Sequence, residues 1–144
     1  MRITISTLVN QGYRSVAEGF NQELFKKLNP PFPPVKLLRF DGSKKGDVVA
    51  LELDFLLFKQ TWESHITEDG QTEDEWYFID QGVKLPFFLA YWKHHHRVVQ
   101  TGTHATIIDD ITFRTPFAWL DYLFYPVMWL QFLYRKPVYK KVFL

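Results

Sequence analysis

The chain has 144 residues and a formal net charge of +1, from 17 Lys and Arg against 16 Asp and Glu. This length suits a single domain over residues 1–144, and the balanced charge argues against a nucleic-acid partner because no cationic field attracts phosphates. With no cysteine, disulfides, thiolate metal ligands and a cysteine nucleophile are excluded. Aromatic residues reach 18%, enough to line an apolar cavity as well as fill a core.

The first quarter of the chain predicts a strand followed by two short helices. Residues 2–10 alternate apolar and polar side chains, as a strand does. The apolar residues of one helical stripe then recur every four positions: Val16, Phe20, Leu24 and Leu28. Gly12 and Gly19 weaken a continuous helix, so two short helices are expected. The NPPFPP segment at 29–34 ends them, because proline has no N–H to donate.

Six further extended runs follow in the middle of the chain. They cover residues 35–42, 47–58, 60–68, 73–83, 89–100 and 104–115. The connections DGSKKG and TGT carry the Gly and Asp that favour tight turns. Short connections between neighbouring strands predict an antiparallel meander.

The end of the chain predicts one long helix over about residues 117–141. Apolar residues recur there at helical spacing over a wide face. Pro126 should kink this helix, and Pro137 should end it or bend it again. A long sheet with one dominant helix must curl around that helix to bury both apolar surfaces, which predicts an α+β fold.

The apolar run 117–134 also raises the question of a transmembrane span. It contains Asp121 and Gln131 and lies at the short end of the ~17–25 residues that a span needs, so a buried amphipathic helix is the better interpretation. The basic, aromatic segment 135–141 has the character of a solvated helix face, but it leaves peripheral membrane contact open. Residues 1–10 lack a basic region followed by an apolar core, so we expect no signal peptide and a cytoplasmic location.

Four motifs in order carry a resemblance to a known superfamily. They are LNPPFPPV at 28–35, FIDQGVKLPF at 78–87, WKHHH at 92–96 and DDITFRTP at 109–116. With the predicted order of elements, they resemble the helix-grip fold of the SRPBCC/START-like superfamily, in its bacterial ligand-binding and polyketide cyclase/dehydrase-like branch. Departures are Leu85 in place of a glycine, Phe113 in place of a tyrosine, and the two prolines of the last helix.

The resemblance implies a cavity between a seven-stranded sheet and the C-terminal helix. A small hydrophobic or amphipathic ligand is the implied partner: lipid, polyketide or isoprenoid-like, held by a carrier or sensor. It implies no cofactor and no metal, and we expect a monomer or weak dimer without stable membrane insertion. The residues predicted to contact the ligand are Trp62, Trp76, Phe78, Phe87, Trp92, His94, His96, Phe113, Leu120 and Phe124.

The three consecutive histidines of WKHHHR cannot all bind one metal from a regular strand. Alternation puts Trp92, His94 and His96 on one face, and Lys93, His95 and Arg97 on the other, where we expect solvent. A zinc site would need further ligands from elsewhere. Asp80, Asp109 and His65 could supply them, but the spacing matches no metal motif.

A catalytic role for the same residues is the alternative from a different functional class. In the fold that the resemblance implies, Asp80 and Asp109 lie on strands flanking the histidine strand, so either could orient His94 or His96 as a base. A cyclase- or dehydratase-like enzyme would use this cluster. We favour the simpler interpretation of a self-satisfied buried polar network, since no nucleophile, oxyanion loop or cofactor motif accompanies it.

Overall fold

The computed structural model describes residues 1–144 and has seven strands and four helices. The strands are β1 (Arg2–Val9), β2 (Val35–Phe40), β3 (Val48–Asp54), β4 (Lys59–Gln71), β5 (Glu75–Lys84), β6 (Tyr91–Thr101) and β7 (His104–Arg114). The helices are α1 (Tyr13–Glu18), α2 (Gln22–Leu28), α3 (Ala118–Leu133) and α4 (Arg135–Val142). The predicted order of elements is confirmed.

All seven strands form one antiparallel sheet in the order β1-β7-β6-β5-β4-β3-β2. Strands β2 to β7 follow one another as a meander, and β1 closes the far edge by pairing with β7. Buried side chains alternate with exposed ones on β1 and with half-buried ones on β7, as expected for a sheet with one face on the core. The sheet curls around the C-terminal helices, which confirms the predicted α+β helix-grip fold.

The long helix expected over 117–141 is present but bent. It divides into α3 and α4 at Tyr134, whose backbone keeps helical angles. Pro137 explains the position, because its ring excludes the carbonyl of Leu133 and it cannot donate to that oxygen. Pro126 lies inside α3 and does not end it. None of the four helices combines the length and apolar character that crossing a bilayer requires.

Two strand boundaries also differ from the sequence prediction. The apolar run over 55–58 forms the β3–β4 turn instead of continuing the strand, and Leu57 at its tip is 94% exposed. Asp54 stabilises the turn by accepting a hydrogen bond from the backbone N–H of Leu56, at 2.8 Å. In contrast, β4 continues to Gln71 through a polar stretch that was predicted to be a connection. That end of β4 is mostly exposed, so no apolar periodicity marks it.

The core divides into two hydrophobic clusters with a polar zone between them. The first joins α1, α2 and α4 to one end of β6 and β7, through residues such as Val98 and Ile107. The second joins α3 to the other end of the same strands, through Trp92 and Ile111. Between these anchors, β6 and β7 present polar side chains to the interior, so the sheet itself sets the position of the polar zone.

Candidate functional site

A cavity of about 380 Å³ lies between the inner face of the sheet, α2 and α3. Of the 33 residues that line it, 21 are hydrophobic, so its wall suits an apolar body. Alternating residues of β3 (Val49, Leu51 and Leu53) form part of the wall, because a strand turns every second side chain to the same face. The volume lies within the ~300–1,000 Å³ typical of small-molecule sites.

The structure brings seven of the ten residues predicted for the ligand to this cavity. They are Trp62, Phe78, Phe87, Trp92, His94, His96 and Phe124. The other three do not line it. Phe113 is fully buried within the cluster around α3, and Trp76 packs edge-on against Phe20 with ring centroids 5.3 Å apart. Leu120 lies near the start of α3, outside the lining.

Several lining residues escaped the sequence prediction, and Arg135 is the most consequential. Segment 135–141 was interpreted as a solvated helix face, but the Arg135 side chain is only 12% exposed and lines the cavity. Arg135 follows Met128 and Phe132 and precedes Tyr139 at intervals of three or four residues, the spacing of one helix face. Because the other three residues are buried, this spacing could have predicted that Arg135 is buried too. The interpretation of Arg135 as a solvated residue was therefore wrong.

Sheet register brings the four polar candidates together at the inner end of the cavity. On β5 and β6, Asp80 is the partner of His94, and on β6 and β7, His96 is the partner of Asp109. All four side chains point to the inner face, as alternation along β6 predicted. Asp80, His94 and His96 line the cavity, and Asp109 lies behind them in the sheet.

Hydrogen bonds link the two histidines to the two carboxylates. Nε2 of His94 lies 2.9 Å from Oδ1 of Asp109, and Nε2 of His96 lies 3.2 Å from Oδ2 of Asp80. The indole N–H of Trp92 donates to the other oxygen of Asp80 at 3.1 Å. His94 is 2% exposed and Asp109 1%, so this network is shielded from bulk water except through the cavity.

Arg135 on α4 closes the network from the opposite side. Its guanidinium donates to Oδ1 of Asp109 at 3.3 Å and lies over the ring of Phe132 at 4.4 Å. It also lies 3.5 Å from the hydroxyl of Tyr139. Asp109 therefore has a cationic partner, whereas the only ionisable side chains that contact the Asp80 carboxylate are the two imidazoles.

Burial and neighbouring charges determine the protonation of the network. Desolvation, with the adjacent His94, lowers the pKa of His96 to about 4, so this imidazole is neutral at pH 7. Burial alone would raise the pKa of Asp109, but the hydrogen bond from His94 and the charge of Arg135 outweigh it and hold the pKa at about 2. The pKa of Asp80 is lowered in the same way, by His96 and His94 against desolvation. Both carboxylates are ionised at pH 7.

The remaining candidate histidines lie away from this network. His95 points to the outer face of the sheet, where it is half-buried against Tyr77, with ring centroids 5.4 Å apart. His65 lies beside Glu63, 3.2 Å from its carboxylate, and its side chain is 45% exposed. Neither residue can join Asp80 at the cavity wall.

Comparison with known proteins identifies the fold. No protein family profile and no curated protein matches the chain. Among solved structures, a START superfamily protein from Mycobacterium smegmatis superposes with a TM-score of 0.65, at 8% identity over 98% of each chain. A norcoclaurine synthase mutant from Thalictrum flavum gives 0.63 at 12% identity, over 88% of this chain and 82% of that one.

The ZhuI aromatase/cyclase of a Streptomyces species gives a TM-score of 0.58 at 17% identity, over 82% of this chain and 70% of that one. Identities this low establish only the fold. The chain has the SRPBCC/START-like helix-grip fold, and the resemblance inferred from its motifs is confirmed at that level.

Proposed function

We infer that the protein binds a small hydrophobic or amphipathic molecule (lipid, polyketide or isoprenoid-like) in the cavity between the sheet and α3, as a carrier or sensor. The observation that carries this inference is a cavity of about 380 Å³ with a mainly apolar wall and a polar group at its inner end. The proposal also takes the protein to act in the cytoplasm as a monomer or weak dimer, and sedimentation of the purified chain tests the second point.

The arrangement of the wall suits a ligand with an apolar body and one polar end. Aromatic rings such as Trp62, Phe88 and Phe124 would bury the apolar body, and their area provides the free energy of binding. At the inner end, the Asp80 carboxylate and the neutral imidazole of His96 would pair with a hydroxyl or carbonyl. Without that pairing, the polar end would lose about 1–3 kcal/mol on leaving water.

The mouth of the cavity supports ligand exchange with the surroundings. Phe32 and Phe87 line the cavity and are 56% and 61% exposed, so they form an apolar rim. Val127 on α3 extends this rim and is 48% exposed. An apolar ligand could therefore pass from the surface to the interior without crossing a polar barrier.

A pair of substitutions on β3 tests binding. Leu51→Trp places an indole in the cavity, whereas Glu52→Trp places the same group on the opposite face. We expect a fluorescent fatty acid or flavonoid to bind the parent and Glu52→Trp, and to bind Leu51→Trp at least tenfold more weakly. Native mass spectrometry of the untagged protein would identify a co-purifying molecule. Absence of binding across a mixed hydrophobic library would overturn the proposal.

A cyclase- or dehydratase-like activity is the second candidate, favoured by one observation. Asp80, His94 and His96 face the cavity rather than a sealed interior, so a bound substrate would meet them. The neutral His96 could accept a proton from that substrate, and Asp109 would orient His94. Turnover of a hydroxylated polyketide that falls at least 100-fold in His96→Gln, with unchanged ligand affinity, would support catalysis. Equal turnover in parent and variant would exclude it.

A further inference from the structure

We propose that Asp80, His94 and His96 form a binding site for a divalent transition-metal ion at the inner end of the cavity. One ligand atom from each of the three side chains lies within 4.8 Å of the other two. Two imidazoles and one carboxylate are a ligand set suited to first-row metals such as Fe²⁺ and Zn²⁺. The spacing of these residues in the sequence matches no metal motif. The third ligand, Asp80, lies on β5, which is next to β6 only in the folded sheet.

The orientation of the two imidazoles is the main argument. Each ring has one nitrogen toward Asp109 and the other toward Asp80. Toward Asp109, the distances to Oδ1 are 2.9 Å from His94 Nε2 and 3.5 Å from His96 Nδ1. Toward Asp80, the distances to Oδ2 are 3.6 Å from His94 Nδ1 and 3.2 Å from His96 Nε2. Both rings therefore present a nitrogen to the same carboxylate oxygen.

This orientation defines a protonation pattern suited to a metal. With the ring protons on the nitrogens nearer to Asp109, His94 Nδ1 and His96 Nε2 carry the lone pairs, and these are the nitrogens nearer to Asp80 Oδ2. Ligand atoms around a tetrahedral zinc ion lie about 3.4 Å apart, given bonds of about 2.1 Å. The separations of 3.6 Å and 3.2 Å from Asp80 Oδ2 are close to that value. Small side-chain rotations would complete the geometry.

A metal ion would also relieve two unfavourable features of the network. His96 Nδ1 is buried and has no hydrogen-bond partner when Nε2 donates to Asp80. With a metal on Nε2, the ring proton would be on Nδ1, whose nearest carboxylate oxygen is Asp109 Oδ1 at 3.5 Å, so a small shift of the ring would make that hydrogen bond. In addition, the Asp80 carboxylate contacts no Lys or Arg, although it lies in an apolar cavity. A divalent cation would compensate its charge.

The surrounding groups position all three ligands, as the outer groups of metal sites do. The indole of Trp92 holds Oδ1 of Asp80, so Oδ2 is left to bind the metal. Asp109 is hydrogen-bonded to His94 and lies 3.5 Å from Nδ1 of His96, and Arg135 donates to Asp109. Three protein ligands leave coordination positions directed into the cavity, where an oxygen of a bound molecule could coordinate. Metal binding itself does not depend on such a molecule.

Direct metal binding tests the proposal. The untagged full-length protein is stripped with a chelator and titrated with Co²⁺, and Zn²⁺ retained after dialysis is measured by mass spectrometry. We expect one ion per chain and the intense visible absorption of four- or five-coordinate Co²⁺. Asp80→Asn, which preserves shape, should weaken binding at least 100-fold, and His95→Ala on the opposite face should bind as the parent does.

Two further measurements keep the test decisive if Asp80→Asn is poorly folded. Asp109→Asn should weaken Co²⁺ binding about 10–100-fold without abolishing it, because Asp109 only orients the ligands. In the Co²⁺-loaded parent, proton NMR should show two paramagnetically shifted, exchangeable imidazole N–H signals. No binding of either ion by the parent, binding retained in the folded Asp80→Asn variant, or absence of those two signals would overturn the proposal and leave a hydrogen-bonded network only.

Discussion

His94 and His95 are adjacent in sequence but point to opposite faces of β6, so their replacement by alanine separates interior from surface effects. His94→Ala removes the only imidazole hydrogen-bonded to the buried carboxylate of Asp109. Arg135 stays within 3.3 Å of that carboxylate, so its charge is not left entirely without a partner. A fully stranded buried charge costs about 3–5 kcal/mol, and we expect a loss of about 2–4 kcal/mol here.

Because His95 lies on the outer face of β6, we expect His95→Ala to lower the free energy of unfolding by less. His95 makes no side-chain hydrogen bond, and its Nε2 is buried without a partner. Removing the ring loses its edge contact with Tyr77, at a centroid distance of 5.4 Å. Such cross-strand contacts contribute about 0.2–1 kcal/mol, so His95→Ala should lose no more than about 1 kcal/mol.

Urea unfolding at pH 7 in the presence of a chelator measures both variants, with the five tryptophans as the fluorescence signal. With a slope of about 1–3 kcal/mol per M, a loss of 3 kcal/mol lowers the midpoint by roughly 1–3 M. Equal losses in the two variants would refute the reasoning, because they would mean that β6 has no distinct inner face. A larger loss in His95→Ala would mean that the register of β6 is wrong.

Three other predictions follow from burial and charge. The pKa of His96 is about 4 when folded and ~6.5 when unfolded, so the unfolded chain binds more protons between these pH values. The free energy of unfolding of the metal-free protein should therefore fall as pH drops from about 6.5 to 4, and it should fall less steeply in His96→Gln. Equal slopes in parent and variant would contradict this. Ile111→Ala should lower the free energy of unfolding in urea by about 2–5 kcal/mol because Ile111 is fully buried. Leu57→Ala should change it by less than about 0.5 kcal/mol because Leu57 is exposed. A loss below about 1 kcal/mol in Ile111→Ala would exclude Ile111 from the core. Arg135→Met keeps the length of the side chain but removes the charge beside Asp109, so the pKa of that carboxylate should rise, and an unchanged carboxylate titration by NMR would show that the two groups do not interact.

Local patterns in the sequence were sufficient where one physical constraint acted alone. Alternation along β6 placed His94 and His96 inside and Lys93 outside, because a strand has no other way to distribute its side chains. The order of strands and helices followed from turn residues and apolar periodicity. The sequence prediction failed at 55–58, where the apolar run favoured a strand but the Asp54 side chain favours a turn. The run forms an exposed turn, in which Asp54 accepts a hydrogen bond from the backbone N–H of Leu56.

Contacts between distant segments were decided only by the tertiary structure. The pairing of His94 with Asp109 depends on the β6–β7 register, and that of His96 with Asp80 on the β5–β6 register. The role of Arg135 depends on the packing of α4 against the sheet, which brings its guanidinium within 3.3 Å of Asp109. The sequence by itself determined which side chains share a face, because that is a property of one strand or helix. Packing among elements far apart in the chain determines which faces meet and how much volume remains between them. The cavity therefore depends on the tertiary structure.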